Sequence, residues 1–270
     1  MAFEFSLAHL TVLQCSPLEM IAIASQTGYP YVSFRMTAVT AHEKIYPLMD
    51  DRAMMKETKK RMADTGIRVH DIELVRLDPN TEPEAYRFFL EAGGELGARA
   101  VIAQLPDPER GRATERFARL CDLAKPFGLT VDLEFLPWTD TRDLKAAAAV
   151  IEAVDKPNAG LLVDTLHFDR SRSSLEDLRN LPREWFHFVH LCDAPKEIPT
   201  ATEAIIHTAR ADRYFPGEGG LNLRAILACI PTLTYSLEIP NEVLMKELGP
   251  EEYARRAIRA AETYLKEEPN

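Results

Sequence analysis

The chain has 270 residues, 46% hydrophobic and 27% charged, which is enough for one sizeable core and ordinary for a globular protein. Its 32 basic and 42 acidic residues leave a net charge of −10, a balance that repels nucleic acid and anionic membrane unless a local basic stripe intervenes. The densest basic run, KETKKR at 56–61, falls on a predicted outer helix, and no stretch approaches ~18 uninterrupted apolar residues.

Eight apolar runs read as strands: FSLAHL near 4–10, YVSFRM at 31–36, RVHDIELV at 68–75, RAVIAQL at 99–105, LTVDLE at 129–134, GLLVD at 160–164, FHFVHL at 186–191 and TYSLEI at 234–239. Most are continuously apolar, as expected of strands covered on both faces. Helical patterns lie between them. The clearest is EEYARRAIRAAETYL, where Ala254, Ala257, Ile258, Ala261 and Leu265 form one apolar stripe. Gly28, Gly66, Gly97 and Gly128 each follow a helical pattern and stand close before a β-rich run. Glycine is favoured there because it enters the left-handed region without a Cβ penalty.

Alternating strands and helices imply a parallel sheet, and eight units in this length predict an α/β fold, a closed (β/α)₈ TIM barrel forming one domain over 1–270. The turn after the first strand, TVLQCSPLEM, has no glycine, which argues against a dinucleotide-binding sheet. Cys15, Cys121, Cys192 and Cys229 form no CxxC pair and point to a reducing compartment. The first ten residues lack a basic region and a long apolar segment, so no signal peptide is expected. A cytoplasmic protein with no membrane partner is the expectation, and a homodimer is the default oligomer for a soluble enzyme.

In such barrels the active site lies at the carboxyl ends of the strands. Four runs end on a ligand-capable side chain: Glu134, Asp164, His190 and Glu238. A polar group at the end of a buried strand is costly unless something pairs with it, and these four can converge on one divalent cation. Three carboxylates and one imidazole suit Mn²⁺ or Mg²⁺ better than a thiolate zinc site would. The same rule selects Arg35, Glu73 and Gln104 from the second, third and fourth strands. His9, closing the first run, is expected to line the pocket, and Trp138 offers an apolar wall for a sugar or cyclic ring. Arg35 and Arg76 could pair with a substrate carboxylate, although salt bridges to Asp71 or Glu73 are the plainer expectation. His70 is read as structural, and Glu218 in the PGEG turn as a support for the site.

DLEFLPW, LLVDTLHF, FVHLCDAP, RYFPGEG and SLEIPN together resemble the sugar isomerase/epimerase superfamily with a xylose-isomerase-like TIM barrel, a group related to endonuclease IV. The resemblance implies that Glu134, Asp164, His190 and Glu238 are metal ligands, that His167 contacts substrate, and that Arg213 binds it. It implies a cation-dependent isomerase or epimerase acting on a keto-sugar or cyclitol, with Glu134 and Glu238 exchanging a proton beside the carbonyl and His167 holding or protonating a substrate oxygen. A dehydratase of a keto-cyclitol or dehydroshikimate-like compound shares the first step and is the alternative. DNA repair hydrolysis is the remote one. It needs further histidines, but the fourth strand ends on Gln104 and Tyr214 follows Arg213. No nucleic-acid partner is expected.

Overall fold

The computed structural model describes residues 3–40 and 43–267. Eight parallel strands close into a barrel in sequence order: β1 (Phe5–Leu7), β2 (Tyr31–Arg35), β3 (Arg68–Arg76), β4 (Ala100–Gln104), β5 (Thr130–Glu134), β6 (Ala159–Asp164), β7 (Phe188–Leu191) and β8 (Thr234–Leu237). β1 closes the ring on β8 through Phe5–Tyr235, Ser6–Ser236 and Leu7–Leu237. The predicted (β/α)₈ architecture is the observed one.

The helix boundaries follow from local chemistry. The helix Pro17–Thr27 opens with a capping box in which Ser16 and Glu19 satisfy each other's backbone amides. It ends at Gly28, whose φ of 94° is left-handed; Gly66, Gly97 and Gly128 stop their helical segments in the same way. The last helix, Pro250–Lys266, buries Tyr253, Ala254, Ala257, Ile258 and Ala261 as its sequence stripe requires. The helix Arg52–Thr65 buries only Met55 and Thr58, leaving its basic run on the outer surface.

Side chains alternate across each strand, so the sheet has a helix-facing core and a separate inner cluster of Leu74, Ala100, Ile102, Leu162 and Phe188. Asp164 and His190 stand two residues beyond Leu162 and Phe188, and therefore on the same inner face one layer nearer the mouth. All four cysteines are buried free thiols. No helix among the described residues is long and apolar enough to cross a membrane.

The first strand departs from expectation. It ends at Leu7, and His9–Val12 form a 3₁₀ turn in place of a strand end. The Thr11 hydroxyl donates to the Leu237 carbonyl at 2.7 Å and accepts the Ile239 amide at 2.7 Å, so the chain is turned inward where β8 closes the barrel.

Candidate metal centre

Glu134, Asp164, His190 and Glu238 are all buried, and one donor atom from each lies within 4.8 Å of the others. His190 Nδ1 is 3.4 Å from Glu238 Oε2, 3.5 Å from Glu134 Oε1 and 3.7 Å from Asp164 Oδ2. These are beyond good hydrogen-bond distance. Neither nitrogen of this buried ring has a hydrogen-bond partner. An imidazole left unsatisfied among three carboxylates fits a divalent cation: the donors are three hard oxygens and one nitrogen, and the cation would supply the missing partner.

Each ligand is oriented by groups around it. Asp164 caps the helix Thr165–Arg170, its Oδ1 accepting the amides of Leu166 at 2.8 Å and His167 at 3.1 Å. Glu134 Oε2 accepts the Gln104 side-chain amide at 2.6 Å. Arg213 donates to Asp164 Oδ2 at 2.6 Å and pairs with Glu238 Oε2 at 2.9 Å. Burial alone would raise the Glu238 carboxyl, but His190 and Arg213 beside it hold it down to about 2. Asp164 is likewise held well below the usual range against burial, chiefly by Arg213 and His167. Burial would lower His190, yet Glu238, Asp164 and Glu134 raise it well above the ordinary histidine value. Glu238 and Asp164 thus stay ionised at neutral pH, the state a metal needs.

A cavity of about 80 Å³ stands over the cluster, lined by Gln104, Glu134, Trp138, His167, Arg213 and Glu238, with Arg35, Arg76 and Arg210 also on its wall. It adjoins a wider hollow of about 430 Å³ through the shared residues Leu10, Glu43 and Arg210. Trp138 meets the His167 ring edge-to-face with centroids 5.2 Å apart. Burial lowers the His167 pKa, and its Nδ1 has no hydrogen-bond partner among the described residues. A neutral imidazole with a free nitrogen therefore lines the cavity.

Three expectations need correction. His9 does not line the pocket: its Nδ1 accepts the Arg35 amide at 2.9 Å, and Nε2 donates to the Cys15 carbonyl at 3.0 Å. Burial lowers its pKa to about 4, so it is a neutral bridge between backbone segments. Glu73 lies beneath the cavity and not in it, where Arg35 Nε and Nη2 both donate to its Oε2, at 2.8 and 2.6 Å. Glu218 is exposed, and Asp193 organises the PGEG turn instead. Asp193 Oδ2 accepts the amides of Gly217 and Gly219, and Oδ1 those of Ala194 and Leu221. Sequence reasoning passed over Asp193 because three of its four amide partners lie more than twenty residues downstream. Its place beside His190 in FVHLCDAP was the available signal.

Arg213 is in the cavity wall and fully buried, its guanidinium also donating to the carbonyls of Ala209 and Glu238. The Asp193–Tyr214 and Asp212–Asn241 bridges fix the segment that carries it.

The xylose isomerase-like TIM barrel family matches residues 21–265. The chain belongs to this family. Among xylose isomerase-like relatives, the inosose isomerase of Bacillus velezensis is 25% identical over 94% of this chain and 90% of its own length. A 3-dehydroshikimate dehydratase of Pseudomonas aeruginosa is 29% identical over 69% of this chain but only 32% of its own. Two solved barrels share the fold. One is the zinc-bound IolI protein, with a TM-score of 0.79 at 19% identity, covering 97% of this chain and 98% of that one. The other is the D-allulose 3-epimerase of a Methylomonas species in complex with D-allulose, with 0.69 at 18% identity and 97% of each chain covered.

Proposed function

We propose that the chain is a divalent-cation-dependent isomerase or epimerase that moves a proton beside the carbonyl of a keto-sugar or cyclitol. The observation that carries this reading is the convergence of Glu134, Asp164, His190 and Glu238 around an unsatisfied imidazole under a small polar cavity. Relatives named for isomerisation of inosose support it. The four residues would hold Mn²⁺ or Mg²⁺, which supplies Lewis acidity toward a substrate carbonyl.

The rest falls to the protein. Glu134 and Glu238 project from β5 and the end of β8, on different sides of the mouth, and they are the pair placed to take and return a proton at opposite faces of a planar intermediate. Gln104 fixes one Glu134 oxygen and leaves the other directed at the cluster. Arg213 fixes Glu238, and His190 and Arg213 together keep it ionised. His167 lines the cavity where it would contact a substrate oxygen, and Trp138 packs against its ring to hold it there. We place the protein in the cytoplasm, with a small molecule and not nucleic acid as its partner.

Glu238→Gln preserves side-chain volume while removing a base and a ligand charge, so turnover should fall by roughly 10²–10⁴. The measurement is deuterium uptake from D₂O at the carbon next to the carbonyl of an inosose, with Mn²⁺. Exchange that is lost with chelator and lost in Glu238→Gln is expected. Product formed without exchange, and without an isotope effect from deuterium at that carbon, would overturn the proton-transfer reading.

A second reading has one observation in its favour. His167 lines the cavity where it could hold a departing β-hydroxyl, which would leave as water with the proton removed beside the carbonyl, giving a dehydratase, the activity named for the Pseudomonas relative. Growth of enone absorbance would distinguish it from silent isomerisation.

A further inference from the structure

Resting on the reading of His190 as a cation ligand, we infer that the barrel interior binds one ordered water between β7, β8 and β1, which accepts a hydrogen bond from His190 Nε2 and is held by the hydroxyls of Ser236 and Ser6. The second nitrogen of the imidazole is the starting point. Nδ1 faces the carboxylates of Glu134, Asp164 and Glu238, so a cation among them takes that nitrogen alone. Nε2 is equally buried, and it has no hydrogen-bond partner among the described residues. A metal-ligating histidine ordinarily donates its other ring N–H to a carboxylate, a carbonyl or a water, which fixes the tautomer and orients the ring. Here no protein group takes that part.

Two further unsatisfied groups stand beside it. Ser236 is the register partner of His190 across β7 and β8, and Ser6 is the register partner of Ser236 across β8 and β1. Their chain neighbours Phe5, Leu7, Val189, Leu191, Tyr235 and Leu237 all belong to the helix-facing core, so by alternation Ser6, His190 and Ser236 point inward. Both serines are fully buried, and neither hydroxyl has a partner. Three adjacent strands therefore present three unmet polar groups in one row. Each such group costs about 1–3 kcal/mol when left unpaired, and a buried water ordinarily makes about three hydrogen bonds to groups of this kind. One water accepting from Nε2 and from one hydroxyl, and donating to the other, satisfies all three.

Volume points the same way. The interior of such a barrel is ordinarily filled by bulky side chains, and Leu74, Ile102, Leu162 and Phe188 fill it on β3, β4, β6 and β7. On β8, β1 and β2 the inward residues are Ser236, Ser6 and Ser33. Ser33 is engaged, donating to Asp71 at 2.6 Å. Protein interiors pack to the density of organic crystals, so serines in place of leucines on neighbouring strands supply the room and the polar walls that a buried water needs. Neither Ser6 nor Ser236 belongs to the cation cluster or lines the cavity above it. They are positioning residues: through the water they keep the imidazole proton on Nε2 and the Nδ1 lone pair toward the carboxylates.

The test is crystallographic and thermodynamic. A high-resolution crystal structure of the Mn²⁺-loaded protein should show a solvent peak within about 3.2 Å of His190 Nε2, Ser6 Oγ and Ser236 Oγ. Ser6→Ala and Ser236→Ala should each weaken Mn²⁺ binding by roughly 10-fold in calorimetry, the cost of losing an outer partner of a metal ligand. Ser236→Thr retains the hydroxyl and should bind Mn²⁺ as the native chain does. Absence of the peak, Nε2 donating to a protein carbonyl, or unchanged Mn²⁺ affinity in both alanine variants would overturn the inference. The two readings can fail separately. Mn²⁺ bound at Nδ1 with no water at Nε2 would retain the cation site and sink the water. A water on all three atoms in a chain that takes up no cation would do the reverse.

Discussion

Cation binding should be visible as stability before any substrate is known. The four donors lie within 4.8 Å of one another, and His190 has no other partner, so a divalent ion binds a preformed cluster that the unfolded chain lacks. At a concentration a hundred times its dissociation constant such a ligand adds about 2.7 kcal/mol to the unfolding free energy. A chain of 270 residues gains roughly 0.57 kcal/mol per kelvin in unfolding entropy, at ~2.1 cal/mol/K per residue. The quotient is a rise in melting temperature of about 5 °C. The assay is a thermal melt after chelation and again with Mn²⁺ or Mg²⁺ added. Glu134→Gln and His190→Ala should each lose most of the rise. An unchanged melting temperature on adding either ion, or an equal rise in both variants, would refute the assignment of these residues as the cation site.

The remaining predictions concern the supports of the barrel. Asp193→Ala removes the acceptor of four backbone amides and should cost about 2–4 kcal/mol in denaturant unfolding; a change below ~1 kcal/mol would show that water replaces it freely. A Cβ at Gly160 would stand 2.3 Å from Asp132 Oδ1 and 2.4 Å from His187 Nδ1, so Gly160→Ala should destabilise by about 1–3 kcal/mol through overpacking, and neutral stability would refute the close approach. Burial would lower the His187 pKa, but the Asp132 carboxylate 2.7 Å away raises it. That contribution is complete below about pH 6.5, the unfolded value, and is lost as pH rises through the folded one. Unfolding free energy should therefore decline on the alkaline side, and His187→Ala should flatten that part of the curve; an identical slope in the variant would count against the pair.

Much of the fold was legible because it depends on local signals. Left-handed glycines stop the helices, and continuous apolar runs mark strands covered on both faces. The cluster was legible for a related reason. Parallel strands share one carboxyl end, so Glu134, Asp164, His190 and Glu238 had to stand at one mouth. What failed was whatever depended on an element ending early or on a long return of the chain. His9 was placed at a strand end, but β1 stops at Leu7 and the ring turns to the backbone of Arg35 and Cys15. Glu73 holds the right parity, yet Arg35 covers it. The grip of Arg213 on Asp164 and Glu238 depends on the bridges Asp193–Tyr214 and Asp212–Asn241, which no periodicity in the sequence announces.

The distribution of satisfied and unsatisfied polar groups separates structure from chemistry in this barrel. Deep in the interior, Ser33 donates to Asp71 at 2.6 Å and to Glu73 at 2.9 Å, and Thr130 and His187 both hold Asp132. Those carboxylates are as buried as the cluster, but their partners are all protein groups, so they need no ligand to justify their burial. At the mouth, His190, His167 and Arg76 each keep a buried nitrogen without a partner, and the hydroxyls of Ser6, Thr58 and Ser236 and the Nε of Arg170 are likewise unpartnered elsewhere in the barrel. Of the three at the mouth, the first lies among carboxylates, where a cation would be its partner, and the other two belong to residues that line the cavity. Burial alone would have selected Asp71 and Asp132 as readily as Asp164. It is the convergence of three carboxylates on an imidazole with no other partner that marks where the reaction should occur.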